Sequence, residues 1–285
     1  MLRITLFILT NLLVVATVSI ILSLLGIGHY QGGGNIGTLA VFCLVWGMTG
    51  SIISLLLSKV MAKWTMGIKV IDRTTPQLGW VVTMCEQLSQ KAGLPVTPEI
   101  GIYESPEVNA FATGPTKRRA LVAFSTGLLS SMTKDEIEGV AAHELAHIKN
   151  GDMVTLTLLQ GVMNAFVMFF ARIIAFALSQ NVKEESRATV QFLVTIVGEI
   201  VLGLLGMLVV RWFSRWREFR ADRGGAQYAG KADMIAALER LKRNHEMYDN
   251  QPSLATFKIS GGASHLFSTH PPLDARIKAL REANF

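Results

Sequence analysis

Four long apolar runs separate two polar segments along this chain of 285 residues. The first two, residues 4–25 and 38–58, contain no Asp, Glu, Lys or Arg, and each is long enough to cross the roughly 30 Å hydrocarbon core of a bilayer. The first exceeds the apolar core of a signal peptide, so it is interpreted as a retained span. Two less uniform runs, 154–178 and 190–210, predict a third and a fourth transmembrane helix, with a shallow membrane hairpin as the alternative.

Two ionisable residues interrupt the last two apolar runs. Such residues are costly inside a bilayer, so they usually reach its interface, pair with another residue or face the interior of a helix bundle. Arg172 lies near the end of its run and is expected to extend to the interface, whereas Glu199 lies near mid-depth and needs a partner or water. We interpret Glu199 as a contact between packed helices; a path for a substrate or an ion is the alternative.

Lys and Arg flank the apolar runs asymmetrically. They lie at Arg3 and in residues 59–73 and 211–220, whereas the loop 27–37 contains neither. The loop between the third and fourth runs has Lys183 and Arg187 beside two glutamates. The positive-inside rule therefore predicts a multi-pass membrane protein whose termini and two large polar segments are cytoplasmic. These flanks account for the net charge of +6, and no nucleic-acid motif is present, so no nucleic-acid partner is expected.

The polar segments 59–152 and 211–285 are expected to fold together as one split domain. The predicted division therefore gives 1–58 to two N-terminal spans and 153–210 to a transmembrane or membrane-embedded hairpin. The two cysteines, one in a span and one in a cytoplasmic segment, are too few for a cysteine metal site and predict no disulfide. Periodicity and turn residues predict a mainly α fold with a small β-sheet: helices at 76–91, 212–228, 233–244 and 272–281, and strands at 99–103, 108–113 and 120–125.

The sequence His-Glu-Leu-Ala-His at positions 143–147 is the main chemical signal in the chain. On a helix, His143 and His147 share one face and can hold a single metal ion, while Glu144 can take a proton from a metal-bound water. Thr133 and Glu136 have the spacing of a capping box, and apolar residues at helical period follow, so a helix is predicted to carry the motif and to end near residues 151–152. A chance match is the alternative.

A catalytic zinc site needs a third protein ligand. The metzincin pattern requires Gly and His where this chain has Asn150 and Met153, so that class is excluded. Glu218 is the candidate, because Asp222 lies one helical turn further on and can accept the N–H of a ligating histidine. The alternative is a charge-rich helix start, exposed beside a membrane.

These motifs resemble the HtpX family of bacterial membrane zinc endopeptidases, which is related to the eukaryotic prenyl-protein metalloproteases. The likeness covers nearly the whole chain and includes the segments 108–114, 138–152, 217–222 and 269–273. The resemblance implies a zincin-like metalloprotease domain, split around a transmembrane hairpin, with one zinc ion per chain. It also implies that His143, His147 and Glu218 are the ligands and that Glu144 is the catalytic base.

The resemblance further implies a biological role. Members of the family cut damaged or misassembled membrane proteins on the cytoplasmic side of the bacterial inner membrane, as part of protein quality control and the stress response. The expected partners are thus polypeptide substrates, mainly membrane proteins, the lipid bilayer and other quality-control proteases.

Other positions carry secondary hypotheses. The strand candidate at Asn109, Ala110, Phe111 and Ala112 would bind substrate as an added strand; an interior strand is the alternative. His270 is a candidate donor to the tetrahedral oxyanion, or else a cap of the following helix. The remaining histidines, His245 and His265, are interpreted as surface residues.

Two other classes of protein are alternatives to a membrane-surface peptidase. An intramembrane protease places the same motif inside a transmembrane helix, but here charged residues lie on both sides of it. A non-proteolytic scaffold or transporter-like protein with a structural metal site is the non-enzymatic alternative, and a metal assay followed by a cleavage assay separates it from an enzyme.

Overall fold

A computed structural model describes residues 36–249 and 270–284 of the chain, without the side chains of residues 245–249. The first predicted span, residues 4–25, lies outside the described residues, as do His265 and the side chain of His245. The helices are α1 Ile36–Met66, α2 Gly79–Lys91, α3 Thr126–Ser131, α4 Lys134–Asn150, α5 Asp152–Ser179, α6 Glu184–Tyr228, α7 Lys231–Asp249 and α8 Leu273–Glu282. The strands are β1 Lys69–Ile71, β2 Glu99–Tyr103, β3 Ala110–Thr113 and β4 Leu121–Ser125.

The mainly α fold with one small sheet is confirmed, and several element boundaries differ from the predicted ones. The helix predicted from residue 76 begins at Gly79, because residues 72–79 form a turn in which Thr75 accepts main-chain bonds. The predicted fourth span and the helix 212–228 form one continuous helix, α6. The strand predicted at 108–113 begins at Ala110, and the helix predicted at 233–244 is longer at both ends.

The described residues form two compact units: one contains residues 36–53 and 157–210, and the other contains 54–156, 211–249 and 270–284. Three described helices, α1, α5 and α6, have the length and apolar composition needed to cross a membrane, and they coincide with the second, third and fourth predicted spans. In the first unit α1 and α5 approach closely at Gly47. A Cβ added to Gly47 would lie only 2.6 Å from the main-chain nitrogen of Ala165.

The two ionisable residues that interrupt the last two apolar runs contact each other. Arg172 Nη1 donates to Glu199 Oε1 at 2.9 Å, and both residues are buried. The expectation that Arg172 extends to the membrane interface is therefore wrong. Glu199 does join two packed helices, as the favoured interpretation predicted. Charged side chains between two apolar helices cost little free energy only when they form an ion pair with good geometry.

The second unit is organised around α4, which lies between the sheet and α7. Its apolar face is fully buried in the main core, with Ile137, Leu145 and Ile148 among the most enclosed side chains. The predicted capping box is confirmed: Thr133 accepts from the Glu136 N–H, and the Glu136 carboxylate accepts from the Thr133 N–H. Both ends of α4 are thus fixed, the second by Gly151 in the left-handed conformation (φ 71°).

The sheet has the strand order β1-β2-β4-β3, with β2 and β4 parallel and the outer pairs antiparallel. Strand β4 is buried along its whole length, whereas β3 is half-buried at an edge. Among the described residues β3 is an edge strand, so the alternative that residues 110–112 form an interior strand is wrong. Strand β3 packs against α4.

Candidate metal centre

The two motif histidines and Glu218 converge at one point of the second unit. One ligand atom from each of His143, His147 and Glu218 lies within 4.8 Å of the others. His143 and His147 belong to adjacent turns of α4, and Glu218 belongs to the end of α6, far away in the sequence. Glu218 is only 2% exposed, so its carboxylate has little access to water and must be neutralised by its neighbours.

The atoms that face one another are the ones that bind metals. His143 Nε2 lies 3.1 Å from His147 Nε2. Glu218 Oε2 lies 3.5 Å from His143 Nε2, and Glu218 Oε1 lies 3.3 Å from His147 Nε2. A tetrahedral ion about 2.1 Å from its N and O ligands sets those ligands about 3.4 Å apart, so these three residues fit a zinc ion.

The outer nitrogens of both histidines contact buried carboxylates. His143 Nδ1 lies 2.9 Å from Asp222 Oδ1, as the spacing of Glu218 and Asp222 predicted, and His147 Nδ1 lies 2.7 Å from Asp152 Oδ2. A proton on each Nδ1 leaves the Nε2 lone pair directed toward the shared point. Both histidines therefore have the arrangement that metal-binding imidazoles require.

The last helix, α8, brings two more side chains to the centre. Arg276 donates two hydrogen bonds to Asp222, at 2.8 and 2.6 Å, and its Nη1 lies 3.3 Å from Glu218 Oε2. His270, just before α8, lies with Nδ1 2.7 Å from Glu218 Oε2. The N-cap residue of α8, Pro272, makes no side-chain capping bond.

The charges of the centre shift one another's pKa values. Burial alone lowers the pKa of His143, but hydrogen bonds to Asp222 and Glu218 outweigh it and raise that pKa to about 10. Burial also lowers the pKa of His147, and bonds to Asp152 and Glu218 raise it above its ordinary value. Burial raises the pKa of Glu218, yet its contacts with His143, His147 and His270 hold it well below the usual range. Because metal ligands must be deprotonated, these raised pKa values of the histidines make metal binding compete with protons.

Glu144 is placed differently from the three converging residues. It lies between the two histidines on α4, is half-buried and does not belong to the converging set. Among the described residues no hydrogen bond to its carboxylate is found, although its negative charge contributes to the raised pKa of Arg276, after burial and the larger effects of Asp222 and Glu218.

Two residues of this centre were not assigned from the sequence. Arg276 occupies the i+3 position of an apolar stripe formed with Leu273, Ile277 and Leu280, and an arginine on a buried face indicates a buried anionic partner. Asp152 had a weaker signal, since an acidic residue at the first turn of a helix is common for other reasons.

Comparison with known proteins decides the family. The model of peptidase family M48 matches residues 76–284, which is most of the chain and includes every residue of the centre. The chain belongs to peptidase family M48. It is therefore a membrane metalloprotease, and its family implies a bound metal, polypeptide substrates and a position in a lipid bilayer.

Bacterial relatives match over almost their full length. The chain is 49% identical over 300 residues to "Protease HtpX" of Acinetobacter baylyi, covering 100% of this chain and 99% of that protein. It is 51% identical over 291 residues to "Protease HtpX homolog" of Bacillus velezensis, with 98% of each covered. The resemblance to the HtpX family is thereby confirmed.

A solved structure supports the fold. The crystal structure of S. mikatae Ste24p superposes with a TM-score of 0.61 at 17% identity, covering 92% of this chain and 66% of that one. The chain thus spans just under two thirds of that protein, and the likeness concerns the fold alone.

The family assignment favours a peptidase over a scaffold or transporter.

Proposed function

We propose that this protein is a zinc endopeptidase in which His143, His147 and Glu218 hold one zinc ion. The observation that carries the proposal is the convergence of two Nε2 atoms and one carboxylate at 3.1–3.5 Å. Zinc held by these residues would lower the pKa of a bound water to about 7 and would polarise a substrate carbonyl. Asp222 accepts the outer N–H of His143 and fixes the orientation of that ring.

Glu144 is the proposed general base. It accepts a proton from the attacking water and passes that proton to the leaving amine, which is the usual division of labour between a carboxylate and a neighbouring metal site. Its place on α4, between the two histidines, holds it beside the reacting atoms without making it a ligand. Its lack of a hydrogen bond among the described residues leaves the carboxylate free to move a proton.

His270 is the proposed donor to the oxyanion of the tetrahedral intermediate. Its side chain is 62% exposed and contacts Glu218, so it lies at the boundary between the buried centre and solvent. A substrate carbonyl must enter from the solvent side. An imidazole N–H at that boundary can donate a hydrogen bond to the charge that develops on that carbonyl.

The edge strand β3 is the proposed substrate-binding strand, with Asn109 at its start. Asn109 accepts from the Ser125 N–H and thus bonds toward β4. Bonding alternates along an antiparallel pair, so Phe111 and Thr113 also bond toward β4. The N–H and C=O groups of Ala110 and Ala112 therefore point away from β4, where an extended peptide can pair with them.

Replacing Ala112 with proline should weaken substrate binding and leave the metal in place. Proline removes one outward N–H without removing a bond to β4, and edge strands tolerate proline at such positions. We expect KM to rise and kcat/KM to fall by about 10-fold, the effect of one lost hydrogen bond of about 1.4 kcal/mol. Peptide cleavage kinetics and zinc content measure the two effects.

The matched control is Ala112→Thr, which keeps the N–H and suits a strand. It should retain a KM near that of the unaltered protein. An Ala112→Pro protein with unchanged kcat/KM contradicts the assignment of β3 as the substrate strand.

We further propose that the substrates are damaged or misfolded membrane proteins, cut on the cytoplasmic side of the bacterial inner membrane during stress. The likeness to bacterial HtpX proteins and the basic flanks of the spans support this. A membrane protein with a cytoplasmic loop should be cut when it is misfolded and spared when folded, with Glu144→Gln protein as the control for contaminating proteases. Equal cleavage of both forms contradicts a quality-control role, while leaving peptidase activity established.

The topology can be tested by labelling. Single cysteines at Gly33 and Gly262, in protein whose own two cysteines are replaced by serine, should react oppositely with an impermeant maleimide. Position 33 should be labelled from outside intact cells, and position 262 only after the membrane is opened. Equal labelling from outside refutes a cytoplasmic active site.

A further inference from the structure

Asp152 has an unusual set of contacts for the first residue of a candidate membrane-spanning helix. Its side chain is completely buried, and its Oδ2 accepts from His147 Nδ1 at 2.7 Å. Its Oδ1 accepts from Arg220 Nη2 at 2.8 Å, and its main-chain oxygen accepts from Arg217 Nη1 at 3.0 Å. A helix-start carboxylate that only stabilised the helix dipole would remain exposed to water.

The backbone at Gly151 makes these contacts possible. Gly151 is in the left-handed conformation, and its N–H closes α4 on the carbonyls of His147 and Ile148. The first main-chain bond of α5 then runs from Thr155 to the Gly151 carbonyl. One residue therefore ends α4 and begins α5, which brings the Asp152 side chain back beside the second histidine of the motif.

The two arginines come from the helix that also carries Glu218. Arg217 is 7% exposed and lies over the Phe213 ring, with its guanidinium carbon 5.9 Å from the ring centroid. Arg220 lies over Trp216 at 5.6 Å. These ring contacts restrict both side chains, so the arginines hold Asp152 with less loss of conformational freedom than exposed ones would.

We propose that Asp152 is a positioning residue for the metal centre, clamped by Arg217 and Arg220. Asp152, at the start of α5, thereby fixes the orientation of His147, while α6 supplies Glu218 directly. The contacts of Asp152 with Arg217 and Arg220 therefore join α5 to α6 beside the proposed ligands. Any shift of α5 against α6 at this point must move a ligand or break the clamp. This inference rests on the proposed zinc site and adds a residue that acts through His147 rather than on substrate.

The test measures metal binding rather than catalysis. Full-length protein in detergent is freed of metal, and the zinc affinity is measured against a competing chelator. Asp152→Asn keeps the shape but removes the charge, and it should weaken zinc by about 10- to 100-fold, as the loss of outer partners of metal ligands does. The visible spectrum of the cobalt-substituted variant should also change, because the geometry at His147 is altered.

Matched controls separate positioning from general destabilisation. Asp135→Asn removes an exposed first-turn carboxylate from α4, and Arg223→Gln removes an exposed arginine from α6. Both should leave zinc affinity and the cobalt spectrum unchanged. Arg220→Gln should weaken zinc less than Asp152→Asn, and the double variant should lose less than the two losses added together, since the two side chains act as one unit.

The outcomes are distinct. A folded Asp152→Asn protein with unchanged zinc affinity and cobalt spectrum overturns the inference. If that variant does not fold, Arg220→Gln decides: unchanged affinity and spectrum overturn the clamp, and a loss absent from Arg223→Gln supports it. Unaltered protein that binds no zinc overturns the proposed function itself, whereas protein that binds zinc but cuts no peptide overturns only the peptidase assignment.

Discussion

Replacing Glu144 with glutamine is expected to lower the rate of peptide-bond cleavage by about 100- to 10,000-fold, the usual contribution of a general base. Glutamine has nearly the same size and helix propensity, so α4 and its capping box should remain intact. Because Glu144 does not belong to the converging set of ligands, zinc should stay bound at one ion per chain. The measurements are kcat on an unfolded protein substrate and the zinc content of the same sample.

The control is Glu138→Gln, which makes the same chemical change on the same helix. Glu138 Oε1 lies 3.9 Å from Lys91 Nζ, and Glu138 does not belong to the metal centre. This variant should therefore cleave at the normal rate. If the Glu144→Gln protein cleaves peptides normally, Glu144 is not the base. If it instead loses its zinc, Glu144 is a ligand and the proposed division of roles is wrong.

Replacing Glu218 with alanine is expected to abolish zinc retention and peptidase activity together. Of the three proposed ligands only His143 and His147 remain, and a catalytic zinc site is built on three protein ligands. The variant also leaves Arg276 with one fewer anionic neighbour in a buried position, which further disfavours a bound cation. Zinc content after dialysis and the cleavage rate should therefore fall to background.

Asp222→Ala provides a graded comparison. It removes the acceptor for His143 Nδ1 and leaves all three ligands, so zinc affinity should fall by only about 10- to 100-fold. Glu218→Gln, which keeps the volume of the side chain, separates ligand loss from a packing defect. Stoichiometric, tightly held zinc in a folded Glu218→Ala protein shows that another residue is the third ligand.

The parts of the centre that could be predicted are those fixed by local geometry or by simple connectivity. Any helix places residues i and i+4 on one face, so His143 and His147 were expected to share a point in space. The position of Glu218 could be predicted because two antiparallel spans return the chain to the side of the membrane from which it left. Helical spacing then placed Asp222 beside one of the two motif histidines, and the structure shows that this histidine is His143.

The remaining contacts depend on packing that no local pattern contains. Arg276 reaches Asp222 only because α8 packs against α7 in one register. Arg172 and Glu199 pair because two apolar helices align at one height, and the sequence could show only that Glu199 needed a partner. The basic residue Arg211 looked like the end of a span, yet no Pro or Gly follows it before residue 224, so α6 continues without a break.

The central claim is that one zinc ion at His143, His147 and Glu218 makes this protein a peptidase. The most direct measurement is a titration of zinc into metal-free protein while cleavage of an unfolded substrate is followed. Activity should be absent at the start, rise in proportion to added zinc and level off at one ion per chain, with no rise in the Glu144→Gln protein. Full activity in metal-free protein, or no activity at one bound zinc per chain, contradicts the claim.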